Sequence, residues 1–200
     1  MGRTAVIDYG AGNLMSVTNA LRYLGEEWII TSDKSEIEKS DRVILPGVGA
    51  FPAAMRYLRE KGFESFVKEQ AEKKPLLGIC LGMQMLFEES DEIELTTGLG
   101  LIPGRIQRVP TELKLPHIGW NSLKFNNPCP LLKGVDEGAY VYFVHTFCAM
   151  TKYPENLIAS ADYGAEVAAI VSSGNVFGCQ FHPEKSGEAG LAILKNFCTL

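Results

Sequence analysis

Four short runs rich in branched aliphatic residues punctuate the first part of the chain: Thr4 to Asp8, Trp28 to Thr31, Arg42 to Leu45 and Leu76 to Ile79, with amphipathic stretches between the first three and before the fourth. Such alternation builds parallel strands joined by crossover helices, because each strand must be returned to the same sheet edge direction by a covering element. Leu14 to Leu24 places Val17, Leu21 and Leu24 at helical spacing behind Asn13, a residue type suited to an N-cap. Further helices are expected from Phe51 or Pro52, over Phe63 to Lys73, over Leu81 to Glu89 and over Ala189 to Leu200, whose Leu191, Leu194, Phe197 and Cys198 can cover the sheet. From Leu99 to Val176 the texture changes to short strand-like runs, Leu123 to Phe125, Tyr140 to Val144 and Val167 to Ser172, separated by Gly, Pro and Asn. These read as hairpins extending the sheet, and Val176 to Gln180 as a last buried strand. The expected fold is α/β: a mostly parallel open sheet with helices on both faces and an antiparallel, strand-rich extension. No linker divides the 200 residues, so one domain over 1–200 is expected.

Composition removes several classes of function. With 46% hydrophobic and 22% charged residues the chain is neither disordered nor membrane-like, and no apolar stretch is long enough to span a bilayer. A net charge of -5 and a pI near 5.3 argue against nucleic acid or anionic lipid as the partner. Cysteines at 80, 129, 148, 179 and 198 form no CxxC pair, and His117, His145 and His182 are widely dispersed. That pattern suits reduced thiols in the cytoplasm, with no disulfide framework, no metal site and no cofactor. Gly10-Ala11-Gly12-Asn13-Leu14-Met15 lacks the third glycine of a dinucleotide fingerprint.

The chemistry concentrates at Gly78-Ile79-Cys80-Leu81-Gly82, where an apolar strand runs without a spacer into a helix. A cysteine at the tip of that turn has a strained backbone, and the glycines two positions away on either side let neighbouring backbone approach. The unpaired N–H groups of the following helix, beginning with Leu81, favour a thiolate and can hold an oxyanion. A single cysteine after a strand is ordinarily inert packing, so the reading needs a base. His182 follows the last strand, and in an extended segment Glu184, two residues on, faces the same way across the stiff Pro183. Cys80, His182 and Glu184 therefore form a candidate triad in which the carboxylate fixes the imidazole tautomer. Pro46-Gly47-Val48-Gly49 ends a neighbouring strand and offers backbone donors from Gly47, Val48 and Gly49, although tight glycine turns are common in any fold. Gln84 and Glu88, at i+4 and i+8 from Cys80, are expected on one helix face near the mouth of the site.

Leu-Pro-Gly-Val-Gly at 45–49, Gly-Ile-Cys-Leu-Gly-Met-Gln at 78–84 and Gln-Phe-His-Pro-Glu-Lys-Ser at 180–186 resemble class I glutamine amidotransferases, and the resemblance covers essentially the whole chain. Within that class, Pro46-Gly47-Val48-Gly49 and Pro116-His117-Ile118-Gly119-Trp120-Asn121 resemble the glutaminase subunits of imidazole glycerol phosphate synthases. Tyr142-Phe143-Val144-His145-Thr146 is similar to the segment that lines the glutamine site there, which adds His145, Thr146 and Phe147 to the candidate substrate site. Phe147 departs from the tyrosine of many relatives. The resemblance implies hydrolysis of L-glutamine to L-glutamate and ammonia, with ammonia passed to a separate cyclase subunit with a (β/α)₈ barrel, in a heterodimer serving histidine biosynthesis. It also implies a docking rim at Asn13, Ser16, Trp120, Asn121 and Lys185. Rival readings are a glutaminase for pyridoxal phosphate, anthranilate or GMP synthesis, which would call for a Pro-Gly-Gly loop, or a silent module of the same fold.

Overall fold

The computed structural model describes residues 2–200. In chain order the first half contains β1 (Thr4–Ile7), α1 (Leu14–Tyr23), β2 (Trp28–Thr31), α2 (Lys34–Glu38), β3 (Arg42–Gly47), α3 (Phe51–Glu60), α4 (Glu64–Lys73), β4 (Leu76–Cys80) and α5 (Leu81–Gln84). The second half contains β5 (Phe87–Ser90), β6 (Thr96–Thr97), β7 (Ile102–Arg108), β8 (His117–Ser122), β9 (Lys124–Phe125), β10 (Tyr140–His145), β11 (Phe147–Thr151), β12 (Leu157–Asp162), β13 (Glu166–Ser173), β14 (Val176–Cys179) and α6 (Gly187–Phe197). The strands predicted at 28–31, 42–45 and 76–79 form where expected, as do the helices predicted after Asn13, at Phe51 and before Lys74.

An eight-stranded sheet in the order β2-β1-β3-β4-β14-β13-β12-β9 forms the frame. Its first five strands are parallel, and β13, β12 and β9 continue it antiparallel. Alternation along each central strand feeds two cores. Ala5 and Ile7 of β1 and Val43 and Leu45 of β3 point into one layer, with α3, α4 and the strands of a second sheet. Val6, Ile44, Leu77 and Ile79 point into the other, beneath α1 and α6.

Two expectations need correction. The predicted helix over 81–89 stops after one turn at Gln84, and Phe87–Ser90 becomes β5, pairing parallel with β7 through Phe87 and Ile102. Met85, Leu86 and Phe87 are fully buried, and an unbroken apolar run does not distinguish buried helix from buried strand. The strand-rich segment also does more than extend the main sheet. It forms a separate four-stranded sheet, β11-β7-β5-β6, and a two-stranded one, β10-β8. Strands β5, β6, β7, β8, β11 and β12, and the short helix α2, are not predicted from the sequence. α2 relies on its cap, the Asp33 carboxylate accepting from the Ser35 N–H at 2.9 Å.

Candidate active site

The junction of β4 and α5 is built on glycines. In register, Gly47 lies beside Cys80 and Gly178 beside Gly78, so three neighbouring strands present bare backbone to α5. A Cβ on Gly47 would stand 2.6 Å from the Gly82 N, and one on Gly78 would stand 2.6 Å from the Gly82 carbonyl oxygen. A Cβ on Gly82 would collide with the Leu45 carbonyl, and one on Gly178 with the Met83 side chain. The single turn of α5 is thus pressed onto the sheet more closely than side chains allow. The abrupt exit from β4 forces Cys80 to φ 54°, ψ -113°, unfavourable for a residue with a Cβ. Cys80 is only 8% exposed, but it lines a cavity of about 400 Å³.

His182, which follows the neighbouring strand β14, lines the same cavity. The stretch after β14 is not extended as expected but turns through a 3₁₀ segment, Pro183–Lys185, with Pro183 at its first position. The turn still brings the pair together: His182 Nδ1 lies 2.8 Å from Glu184 Oε1, and the carboxylate side chain is only 1% exposed. An acidic oxygen at that distance fixes the proton on Nδ1 and leaves Nε2 toward the cavity. The loop is fastened to β10, since the His182 N–H donates to the Tyr142 carbonyl at 3.0 Å and the Tyr142 N–H donates to the Ser186 hydroxyl at 2.9 Å. Burial opposes charge on His182, but hydrogen bonding to Cys80 and Glu184, reinforced by their negative charge, outweighs it and raises the imidazole to about 9. The imidazole is therefore protonated at neutral pH.

The other cavity wall is the β10–β11 corner. Val144, His145, Thr146 and Phe147 line it, facing Val48, Gly49, Leu81 and Gln84. Gly49 adopts φ 101°, a conformation glycine takes readily, which leaves the 48–49 backbone free to turn toward the cavity. Gln84 is buried, and its amide donates to the Phe147 carbonyl and to Gln180 Oε1, each at 3.0 Å. His145 Nδ1 sits 2.8 Å from the same Phe147 carbonyl. The Phe147 carbonyl thus accepts from two side chains of the cavity wall, a contact that a phenylalanine makes as well as a tyrosine.

Other predicted positions fall elsewhere. Glu88 is exposed on β5 and accepts from the Gly104 N–H at 2.9 Å; because α5 ends at Gln84, Glu88 shares no helix face with Cys80 and does not line the cavity. Gly47 lies beneath α5 as packing floor. Asn13 and Lys185 stand at the cavity mouth, while Ser16 borders an adjoining cleft with Glu184. Trp120 is 55% exposed and meets Tyr142 edge-on, and Asn121 donates to the Asp162 carbonyl at 2.7 Å. Reasoning from sequence missed Glu92, the acidic residue lining the cavity, whose Oε2 also accepts from the Phe51 N–H at 2.8 Å. It missed Tyr9 as well, a buried phenol that donates to the Pro46 carbonyl at 2.9 Å and fixes the turn before Gly47. Neither position carries a local signal, since both depend on which strands become neighbours. Among the described residues no cluster of His, Cys, Asp and Glu could hold a metal ion, and no helix is long and apolar enough to cross a membrane.

A strained buried cysteine, an imidazole held by a carboxylate and a glycine turn around one cavity are the parts that nucleophilic acyl transfer requires. Residues 5–200 match the family model of glutamine amidotransferase class-I, and the chain belongs to that family of enzymes. Its curated relatives are more specific. It is 53% identical over 195 residues to the imidazole glycerol phosphate synthase subunit HisH of Bacillus cereus, covering 96% of this chain and 92% of that protein. The proteins of the same name from Bacillus mycoides and Bacillus anthracis are 52% and 51% identical over the same coverage. Among solved structures, a putative GMP synthase component from Thermoplasma acidophilum superposes with a TM-score of 0.75 at 21% identity, covering 100% of this chain and 93% of that one. PurLQS from Thermotoga maritima gives 0.72 at 23%, covering 100% and 99%. These two share the fold.

Proposed function

We propose that the chain is the glutamine-hydrolysing subunit of an imidazole glycerol phosphate synthase, working in the cytoplasm and delivering ammonia to a cyclase partner. The observation that carries the chemistry is the buried His182–Glu184 contact of 2.8 Å in a loop whose imidazole shares one cavity with Cys80. The names of the relatives support the particular synthase, and the five free cysteines agree with a reducing compartment.

In the first step the Cys80 thiolate attacks the side-chain carbonyl carbon of glutamine, and the carbonyl π electrons move to oxygen. Backbone N–H groups of Gly49 and Leu81 hold that oxyanion. His182 Nε2–H then protonates the departing nitrogen, the C–N bond breaks, and ammonia leaves a γ-glutamyl thioester. His182, now neutral, takes a proton from water; hydroxide attacks the thioester, the C–S bond breaks, and glutamate and the thiolate are regenerated. Glu184 keeps the proton on Nδ1 throughout. The Glu92 carboxylate is matched to the α-ammonium of the substrate. α5 is one turn long, so its contribution to the thiolate comes from first-turn N–H groups, where the helix field is concentrated in any case.

Ammonia released to bulk water would be protonated and lost as a nucleophile, so a shielded path into the partner is needed. The docking rim is assigned to the cavity side, with Asn13 and Lys185 at the mouth and the exposed Trp120 on β8. Cys80→Ala is the test. Glutamate release with the cyclase partner and its ligand should fall by about a thousandfold or more, while added ammonia still supports the synthase reaction. Glutamate release within tenfold of the parent would refute the assignment.

A further inference from the structure

His117 takes no part in this scheme, yet it is 2% exposed and elaborately held. It lies between Phe143 and Tyr163, with ring centroids 4.8 and 3.8 Å away and planes within 18° of parallel. It is also the direct cross-strand neighbour of His145 in the β8–β10 ladder, and its Nδ1 stands 3.0 Å from His145 Nε2. The proton positions follow from one partner. The Phe147 carbonyl can only accept, so His145 Nδ1 carries hydrogen and donates to it at 2.8 Å. Neutral His145 then has a bare Nε2, and the group that satisfies it is an Nδ1–H on His117. Charging His145 would set two N–H groups against each other, in keeping with burial pushing its imidazole down to about 4.

The chain of donors runs His117 to His145 to the Phe147 carbonyl, which also receives the amide of Gln84. His145, Thr146, Phe147 and Gln84 line the cavity; His117 does not. We infer that His117 is a positioning residue for glutamine binding: by donating to His145 Nε2 it locks the tautomer that holds the Phe147 carbonyl, and so fixes the β10–β11 wall against which the substrate lies. The inference rests on the glutaminase reading above, but its tautomer component does not.

Two substitutions separate the hydrogen bond from the stacking. His117→Phe keeps an aromatic ring between Phe143 and Tyr163 and removes the donor. His117→Asn keeps an N–H close to the position of Nδ1 and removes the ring. In the complex with the cyclase partner, glutamate release should show KM for glutamine raised about tenfold in His117→Phe with kcat within about twofold, because the wall moves and the triad does not. His117→Asn should return KM to within about threefold of the parent. An unchanged KM in His117→Phe, or a larger KM increase in His117→Asn than in His117→Phe, overturns the inference in favour of packing. Imidazole ¹⁵N NMR of the parent gives a readout independent of turnover. His145 must carry hydrogen on Nδ1 and a bare Nε2 at neutral pH, and the opposite tautomer overturns the inference even if His117→Phe fails to fold. A parent that releases no glutamate would refute the glutaminase reading, and the NMR result would still decide the tautomer.

Discussion

The two sides of the cavity are fixed by opposite means. On the Cys80 side, backbone meets backbone: Gly47, Gly78, Gly82 and Gly178 remove every Cβ that would hold α5 away from β3, β4 and β14. On the β10–β11 side the corner between the strands is fixed by side-chain hydrogen bonds converging on the Phe147 carbonyl from Gln84 and His145. The first device tolerates no added atom, and the second tolerates no lost donor. A nucleophile has to be placed to a fraction of an ångström, which close-packed backbone can do. A substrate wall has to hold a few polar groups at set positions, and a few hydrogen bonds suffice for that.

The loop carrying His182 belongs to the seam between these regions, leaving β14 on one side and bonded to β10 on the other. The largest effect should therefore appear there. His182→Ala should lower kcat about a thousandfold or more, since it removes the group proposed as both acid and base. Glu184→Gln should cost less, because the role proposed for Glu184 is to orient and charge its neighbour. Steady-state glutamate release for the two variants side by side checks this, and an equal or larger loss in Glu184→Gln would move Glu184 from orienting group to proton carrier. The pH profile sharpens the point. In the proposed mechanism the productive form has His182 protonated, so parent kcat should fall as pH rises through about 9. Removing the Glu184 charge takes away one of the forces that raise this imidazole, so the basic limb of Glu184→Gln should move to lower pH.

An added atom on the Cys80 side is next in size. Gly82→Ala drives a methyl into the Leu45 carbonyl, with backbone on both sides and no flexible side chain to yield. It should destabilise the fold by about 3 kcal/mol or more, read as a urea-midpoint shift at unchanged slope, and glutaminase activity should fall with it. A variant of parental stability would show that α5 can lift from the sheet, and the contrast between the two walls would be lost.

The same contrast explains what could be read from sequence. The parallel half was legible because its strands are short apolar runs bounded by glycine and helix signals, and Gly78 and Gly82 flank Cys80 within five residues. Gly178 belongs to the same floor but lies about a hundred residues away, and only the β4–β14 register shows it. Leu81 to Phe87 misled because an apolar run buried on all sides has no period, so the end of α5 at Gln84, and with it the exclusion of Glu88, was invisible. His182 and Glu184 were paired correctly for an incorrect local reason: a 3₁₀ turn behind Pro183 brings them together, not an extended strand. Glu92 and the His117–His145 contact arise from strand pairings distant in sequence, which composition and spacing do not encode.

The smallest effect tests whether the β10–β11 wall works through backbone alone. Phe147 is half-buried, packs against the core of α3 and α4, and contributes its carbonyl to the cavity network. If that carbonyl is all the site takes from residue 147, restoring a hydroxyl there changes little, and Phe147→Tyr should leave kcat/KM for glutamine within about twofold. Removing a donor to the same carbonyl should matter more: Gln84→Leu strips one bond from Phe147 and one from Gln180, whose amide nitrogen already has no partner, and kcat/KM should drop about tenfold. Both constants come from one glutamate-release titration. A Phe147→Tyr variant that gained more than fivefold would mean that the ring position reaches substrate or triad directly. The wall would then act through a side chain, and the division between a backbone-fixed nucleophile and a hydrogen-bonded substrate wall would have to be redrawn at residue 147.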